Sequence, residues 1–353
     1  MPDYDKSREL SIEILDEPHL ETLKRAISNI ISTQAAETVY AQVVDGLPLR
    51  EALRGPRASD LPIKHPIRTC HSDLCLGVLE KVHEFRDAFQ PEILKFDSSV
   101  LLAYQAAGLG SKAFNTRLIE LVALAVHQIA VILFNLDTSL HKEDGVIEWV
   151  PPKDDWRYWD KHLNGPLPTL MYHLWYVDFE QYPEGAADMV GFWAENQILG
   201  GVALFDRRPE TEGGEPGAVY WHPSRVGVTY RICKLRPDQT QKLLDFLLAT
   251  EPQETTPLPI LPGMENLSRV DPEEHIMETG IFRHSWERKK LPPPNATDLR
   301  LRDVHNLVDF PTAEDKAAAS SRAYEAKYRG DLAEALGLEG EDLEREILRR
   351  DNL

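Results

Sequence analysis

The chain opens with helical periodicity. Around HLETLKRAISNIISTQAAETVYAQVV, apolar residues recur at Leu20, Leu23, Ile27 and Ile31, the spacing of one buried helix face. Leu47 to Leu53 adds a short turn, and GPRASDLP (55–62) breaks the pattern with Gly and Pro. A second stripe, Cys75, Val78, Leu79, Val82, Phe85 and Phe89, predicts a helix over 72–89. Ser72 is placed to cap it, Asp73 suits its first turn, and Pro91 follows its end. A shorter helix is expected over 99–107, stopped by Gly108 and Gly110. Ser111 then caps a long helix over 112–136, apolar on almost every side.

Further on the period changes. DMVGFWAE (188–195) and ILGGVALFD (198–206) read as two strands joined at Asn196-Gln197, a hairpin by length and turn chemistry. Gly191, Gly200 and Gly201 within them point to bulges or to close backbone approach. Two more strands are expected near 218–222 and 227–233, then a helix over 237–249 started by Pro237. Helices followed by a hairpin-built sheet predict an α+β fold with an antiparallel sheet. The expected organisation is an N-terminal helical segment (1–60), an α+β core (61–250), a Pro-rich extended arm (251–310) and a polar helical tail (311–353).

Composition narrows the function. The 353 residues carry a net charge of −19, which repels phosphate backbones and anionic lipid heads, so neither nucleic acid nor a membrane surface is expected as a partner. Three cysteines make no disulfide framework, and MPDYDKSREL has no apolar run for a signal peptide. Both point to a reduced, cytoplasmic location. The apolar stretch 121–136 is shorter than the roughly 20 residues of a membrane span and reads as a core helix.

Three places hold candidate chemistry. HPIRTCHSDLC (65–75) gathers two histidines and two cysteines, but the spacing fits no standard zinc pattern. The predicted helix also places Cys75 on a buried stripe, where a thiol behaves as a small hydrophobe. No metal is expected there on sequence grounds. The long helix is the second place. At 100° per residue Arg117, Glu120, His127, Gln128 and Asn135 share one narrow sector of an otherwise apolar surface. Glu120 and His127, two turns or about 10 Å apart, could face one pocket as acid–base groups, or serve only as buried hydrogen-bonding groups. The third place is YHLWYVDFEQYP (172–183), readable as helix or strand. As a strand it lines up Tyr172, Tyr176, Asp178, Glu180 and Tyr182 on one face, with His173 on the other. Glu120, His127 and His173 are therefore the candidate catalytic residues, and Tyr172, Tyr176, Asp178, Glu180 and Trp193 the candidate ligand-binding ones. Glycine-rich nucleotide loops, H-E-x-x-H and G-x-S-x-G are absent from the sequence, and no cofactor is implied.

The stretch YHLWYVDFEQYPEGAADMVGFWAENQILGGVALFDR (172–207), with the preceding LIELVALAVHQIAV, resembles a family of conserved hypothetical proteins of filamentous fungi over about residues 65–250. The resemblance implies a fungal, intracellular protein and carries no activity, so no residue takes a role from it. Two functions follow from the residues. One is a small-molecule-binding protein or enzyme with a pocket between the long helix and the sheet. The other is an interaction or scaffold protein that docks a partner, or a second copy, through the arm and tail.

Overall fold

The computed structural model describes residues 5–53, 64–141, 144–155, 158, 165–224, 228–251, 253, 255–272, 274–288, 310, 312–338 and 340–351. The Gly/Pro break at 55–62, the centre of the loop at 151–168 and the LPPPNATD part of the arm lie outside the described residues.

The fold is α+β. Helices α1 (Glu17–Ile31) and α2 (Gln34–Asp45) open it, capped by the Asp16 and Thr33 side chains. Then come α3 (Val78–Ala88), α4 (Ser98–Ala106) and the long α5 (Lys112–Asn135), whose Ser111 cap accepts the Phe114 N–H at 3.1 Å. Helix α6 (Ala186–Ile198) follows, then α7 (Pro237–Leu247), with α8 (Ala313–Leu336) and α9 (Gly340–Asp351) as the tail.

Strands β1 (Glu9–Ser11) and β2 (Lys95–Asp97) pair antiparallel, Leu10 opposite Phe96. The larger sheet holds β3 (Val202–Asp206), β4 (Val219–His222), β5 (Ile232–Lys234), β6 (Arg269–Val270) and β7 (Ile281–Phe282). Its order is β6-β5-β4-β3-β7, antiparallel throughout. Both edge strands come from the segment expected to be an extended arm, which therefore completes the sheet.

Two elements differ from the sequence reading. Residues 188–195 are helix, not strand, and Asn196-Gln197 continues α6 instead of turning a hairpin. The reason is burial on every side. Val190, Trp193 and Ala194 join the cluster around α5, while Met189 and Phe192 join a second cluster with Val202, Leu204 and Tyr220. A helix covered all round loses its polar face and with it the 3.6-residue signal. The helix expected over 72–89 begins only at Val78, after Gly77 in the left-handed region (φ 84°). Cys75 is thus outside the helix.

Helix α5 is the spine. By length and composition it is apolar enough to cross a membrane, yet 78% of its apolar window is buried inside the protein. It packs most extensively on α6, and the close approach has a specific cause. A Cβ at Gly191 would stand 2.5 Å from His127 Nε2, so only glycine admits the imidazole against the α6 backbone.

Gly191→Ala therefore sets overpacking of about 1–3 kcal/mol against about 1 kcal/mol of helix propensity. A net loss of up to about 2 kcal/mol in urea unfolding is expected. In a His127→Ala background, where the obstructing ring is gone, the same change should gain stability. A loss of equal size in both backgrounds would contradict the packing argument.

Candidate functional site

The polar line on α5 is accounted for partner by partner. Glu120, fully buried, pairs with Arg117 in its own helix and with Arg207 Nη2 at 2.6 Å. Arg207 also donates to the carbonyls of Phe282 (3.0 Å) and Arg283 (3.1 Å). Gln128 Oε1 accepts the Lys95 N–H of β2 at 3.1 Å. Glu120 and Gln128 thus each fasten a chain segment that is remote in sequence.

His127 makes the most elaborate set. Its Nδ1 stands 2.9 Å from Glu195 Oε1 and its Nε2 2.9 Å from Asp188 Oδ1, both carboxylates carried by α6. Asp188 and Glu195 lie seven positions apart, about two turns, so they bracket the ring from the same helix face. Glu195 is fully buried and receives both terminal nitrogens of Arg283, each at 2.8 Å, a bidentate pair. The Ala203 N–H also reaches it at 3.3 Å. Asp188 Oδ2 accepts the Glu184 N–H at 2.8 Å. Arg283 and His284 sit on a turn fixed by the buried Glu287 carboxylate, which accepts both of their backbone N–H groups, at 2.9 and 3.0 Å.

This arrangement sets the protonation states. Burial works against a charged His127, but the hydrogen bonds to Asp188 and then Glu195 outweigh it and hold the pKa above the ordinary histidine value. With both ring nitrogens facing carboxylate oxygens, the ring is an imidazolium donating twice. Burial likewise opposes an ionised Glu195, and the Arg283 charge followed by the His127 hydrogen bond overcomes it and lowers the pKa. The neighbouring His284 goes the other way. Burial, then the charges of Arg283 and His127, push it well below the ordinary value, so it is neutral. Its ring stacks on Trp286 at 4.7 Å and 6°.

His127, Asp188, Arg283, His284 and Trp286 line a cavity of about 230 Å³. Leu124, Val131 and Ile132 of α5 form its apolar wall, and Lys95, Phe96 and Asp97 of β2 form another side. The cavity therefore lies between the long helix and the small β1–β2 sheet, and not against the larger sheet.

Of the catalytic candidates from sequence, only His127 reaches this cavity. Glu120 is consumed by its two arginines. His173, fully buried, directs Nε2 to the His222 carbonyl at 3.1 Å. Tyr176 is fully buried, its hydroxyl 3.1 Å from His222 Nδ1. Burial, reinforced by His173 and Arg288, keeps His222 neutral, so Nδ1 accepts from Tyr176 and Nε2–H donates to the Tyr230 carbonyl at 3.2 Å. This is a hydrogen-bonded core. Trp193 is fully buried in the main cluster, Tyr172 packs against the second one, and Glu180 is exposed. Asp178 precedes a 3-10 turn at Phe179–Gln181, so 172–183 is neither a long strand nor a helix, and the strand-face grouping does not form. Among the described residues, none of Tyr172, Tyr176, Asp178, Glu180 and Trp193 lines the cavity. Asp188, Glu195, Arg283 and His284 were missed. The Asp-x6-Glu spacing in DMVGFWAE was the available signal, hidden by the strand reading that put both residues at its ends.

A second group of side chains meets where the C-terminal end of α2 faces the loop after α5. The ligand-capable atoms of Asp45, His71, Cys75 and His141 all lie within 4.8 Å of one another. No family model, curated protein or solved structure matches the chain.

Arg283→Met should cost about 3–5 kcal/mol, because it strands the buried Glu195 carboxylate. Arg283→Met with Glu195→Gln should recover much of that loss in chemical denaturation, being a removed pair instead of a broken one. The pH dependence has two signs. His127, raised on folding, contributes fully below its ordinary value of 6.5 and loses that contribution as pH climbs through the folded value. Glu195, lowered on folding, contributes above its ordinary 4.5 and loses it as pH falls through its folded value. Replacing His127 with Gln should flatten the alkaline decline in stability. An unchanged alkaline limb would remove His127 as its cause.

Proposed function

We propose that the chain binds a small molecule in the cavity beside α5 and acts on it by acid–base chemistry, with His284 as proton acceptor and Asp188, which also lines the cavity, passing the His127 Nε2 proton to the ligand. The observation that supports this is a pair of histidines on one cavity whose surroundings push their pKa values in opposite directions, His127 up and His284 down. Asp188 and Glu195 orient the imidazolium, and Arg283 fixes Glu195 in turn. Leu124, Val131 and Trp286 give an apolar body somewhere to rest. The volume, about 230 Å³, is smaller than the pockets of drug-sized ligands and suits only a small metabolite.

A second reading, docking of a partner through the tail, has its own observation. Tyr324 and Tyr328 are exposed one turn apart on α8, and Leu336 and Leu348 are exposed near the ends of α8 and α9. Deleting 311–353 should then abolish any self-association seen by light scattering, and association that survives the deletion removes this reading.

The cavity reading is tested by thermal shift against a panel of polar metabolites. A compound that stabilises the wild type should lose its effect in Val131→Phe, which fills the apolar wall, and in His127→Gln checked for a native circular dichroism spectrum. Turnover of that compound should vanish in His127→Gln and in His284→Ala. Binding that survives in both cavity variants would place the ligand elsewhere on the protein.

A further inference from the structure

The second cluster is independent of the cavity. Asp45 is the last residue of α2, and its carboxylate is fully buried. Two things disfavour a bare negative charge there: exclusion from water, and the helix carbonyls that converge at the C-terminal end. Oδ2 accepts the Cys75 N–H at 2.9 Å and lies 3.1 Å from His71 Nε2. Oδ1 accepts no hydrogen bond and stands 3.4 Å from His141 Nε2, which is itself 3.4 Å from Cys75 Sγ.

The outer contacts of the two histidines decide what those distances mean. His71 Nδ1 faces the Pro48 carbonyl at 3.1 Å, and His141 Nδ1 faces the Asp144 carboxylate at 2.6 Å. With the ring proton on Nδ1, facing these acceptors, each Nε2 lone pair is turned inward, the orientation of a metal-ligating imidazole. Lone pairs from two imidazoles then meet a carboxylate and a sulfur around one point, an arrangement that a central cation reconciles. A tetrahedral zinc with bonds of about 2.0–2.3 Å sets its donors about 3.3–3.8 Å apart; the direct contacts here are 3.1–3.4 Å, and all four ligand atoms lie within 4.8 Å of one another.

The backbone is built to bring these donors together. Gly46 caps α2 in the left-handed region (φ 99°), and a Cβ there would stand 1.8 Å from Ser139 Oγ. Ser139 Oγ and the Leu140 N–H both donate to the Asp45 carbonyl, at 3.2 Å each, seating the loop that delivers His141.

We propose that Asp45, His71, Cys75 and His141 form a four-ligand site for one zinc-class divalent cation, which fastens the loops before α3 and after α5 to the C-terminal end of α2. One carboxylate and one thiolate neutralise the ion, two neutral imidazoles complete the tetrahedron, and a closed set of four marks a structural site and not a catalytic one. The mixture of sulfur, nitrogen and oxygen disfavours magnesium and calcium, which take oxygen ligands.

The test uses the full chain, reduced and stripped of metal, titrated with Co²⁺ and then Zn²⁺. One equivalent of Co²⁺ should give the intense visible bands of a tetrahedral ion together with a thiolate charge-transfer band. One equivalent of Zn²⁺ should displace it and raise the Tm. Cys75→Ser should lose the charge-transfer band and weaken Zn²⁺ binding at least tenfold, while Cys70→Ser, altering an exposed thiol, leaves both unchanged. Asp144→Asn should weaken binding by roughly tenfold or more with the bands retained, since it touches only the outer contact of His141. If Cys75→Ser does not fold, His141→Asn takes its place and should abolish the tetrahedral bands. No tetrahedral spectrum in the wild type, or a thiolate band that follows Cys70 instead of Cys75, overturns the proposal.

Discussion

The buried chain of charge from His127 through Glu195 to Arg283 is the constraint on which the rest of the architecture depends. It runs from the central helix, across α6, to the turn after β7, and it is shut off from water at Glu195 and Arg283. Removing one member of such a chain leaves an uncompensated charge in a medium that solvates it poorly, whereas the complete chain is tolerated. The three elements must therefore arrive together. Apolar packing of α5 on α6 alone would permit small sliding or rotation, but the bidentate geometry at Glu195 and the double bracket around the ring do not. Gly191 belongs to the same constraint, because without it the ring could not lie against α6.

The charge chain also explains why a strand as short as β7 holds its place. Only Ile281 and Phe282 pair with β3, too little ladder to be stable alone. The segment is secured by side chains instead. Arg207 grips the carbonyls of Phe282 and Arg283, Arg288 donates to the Ile281 carbonyl at 2.7 Å, and Glu287 caps the turn. Glu120 lies behind Arg207, so both halves of the polar line on α5 act on one late segment of chain. The cavity's second histidine and its aromatic wall are carried by that same segment, which links the docking of the sheet edge to the assembly of the site.

Helices with a polar face, such as α1 and α7, were legible in the sequence, the long α5 was legible from its length and Ser111 cap, and so were the strands β3 and β4. What failed was α6, because a helix buried on all sides gives a strand-like apolar run and its terminal Asn-Gln mimics a turn. That single error hid Asp188 and Glu195, and with them the partners of His127. The β1–β2 pair and both edges of the larger sheet are too short to leave a pattern. Periodicity reports which residues share a face. It cannot report that Arg283, 88 positions from Glu195, returns to neutralise it. His127, a polar residue on an apolar helix, lines the cavity between two carboxylates, whereas Glu120 met the same criterion and is held by two arginines away from it. The criterion finds buried polarity without distinguishing an occupied group from one that faces a cavity.

The stretch 65–75 shows the same limit from the other side. Its spacing fits no zinc pattern because only His71 and Cys75 contribute, and the other two donors come from the end of α2 and from the loop after α5. A ligand set split over three segments has no local signature. Its mark in the sequence is indirect: an aspartate followed by glycine at a helix C-terminus, where a basic residue would suit the helix dipole better. An acidic group placed against its own helix end, shielded from water and given two imidazoles and a thiol as neighbours, is a local misfit unless something positive stands among them. The His127 cluster resolves the same difficulty with an arginine from within the chain. At Asp45, where the Nδ1 atoms of both histidines face outer acceptors at Pro48 and Asp144, the proposed cation takes that role.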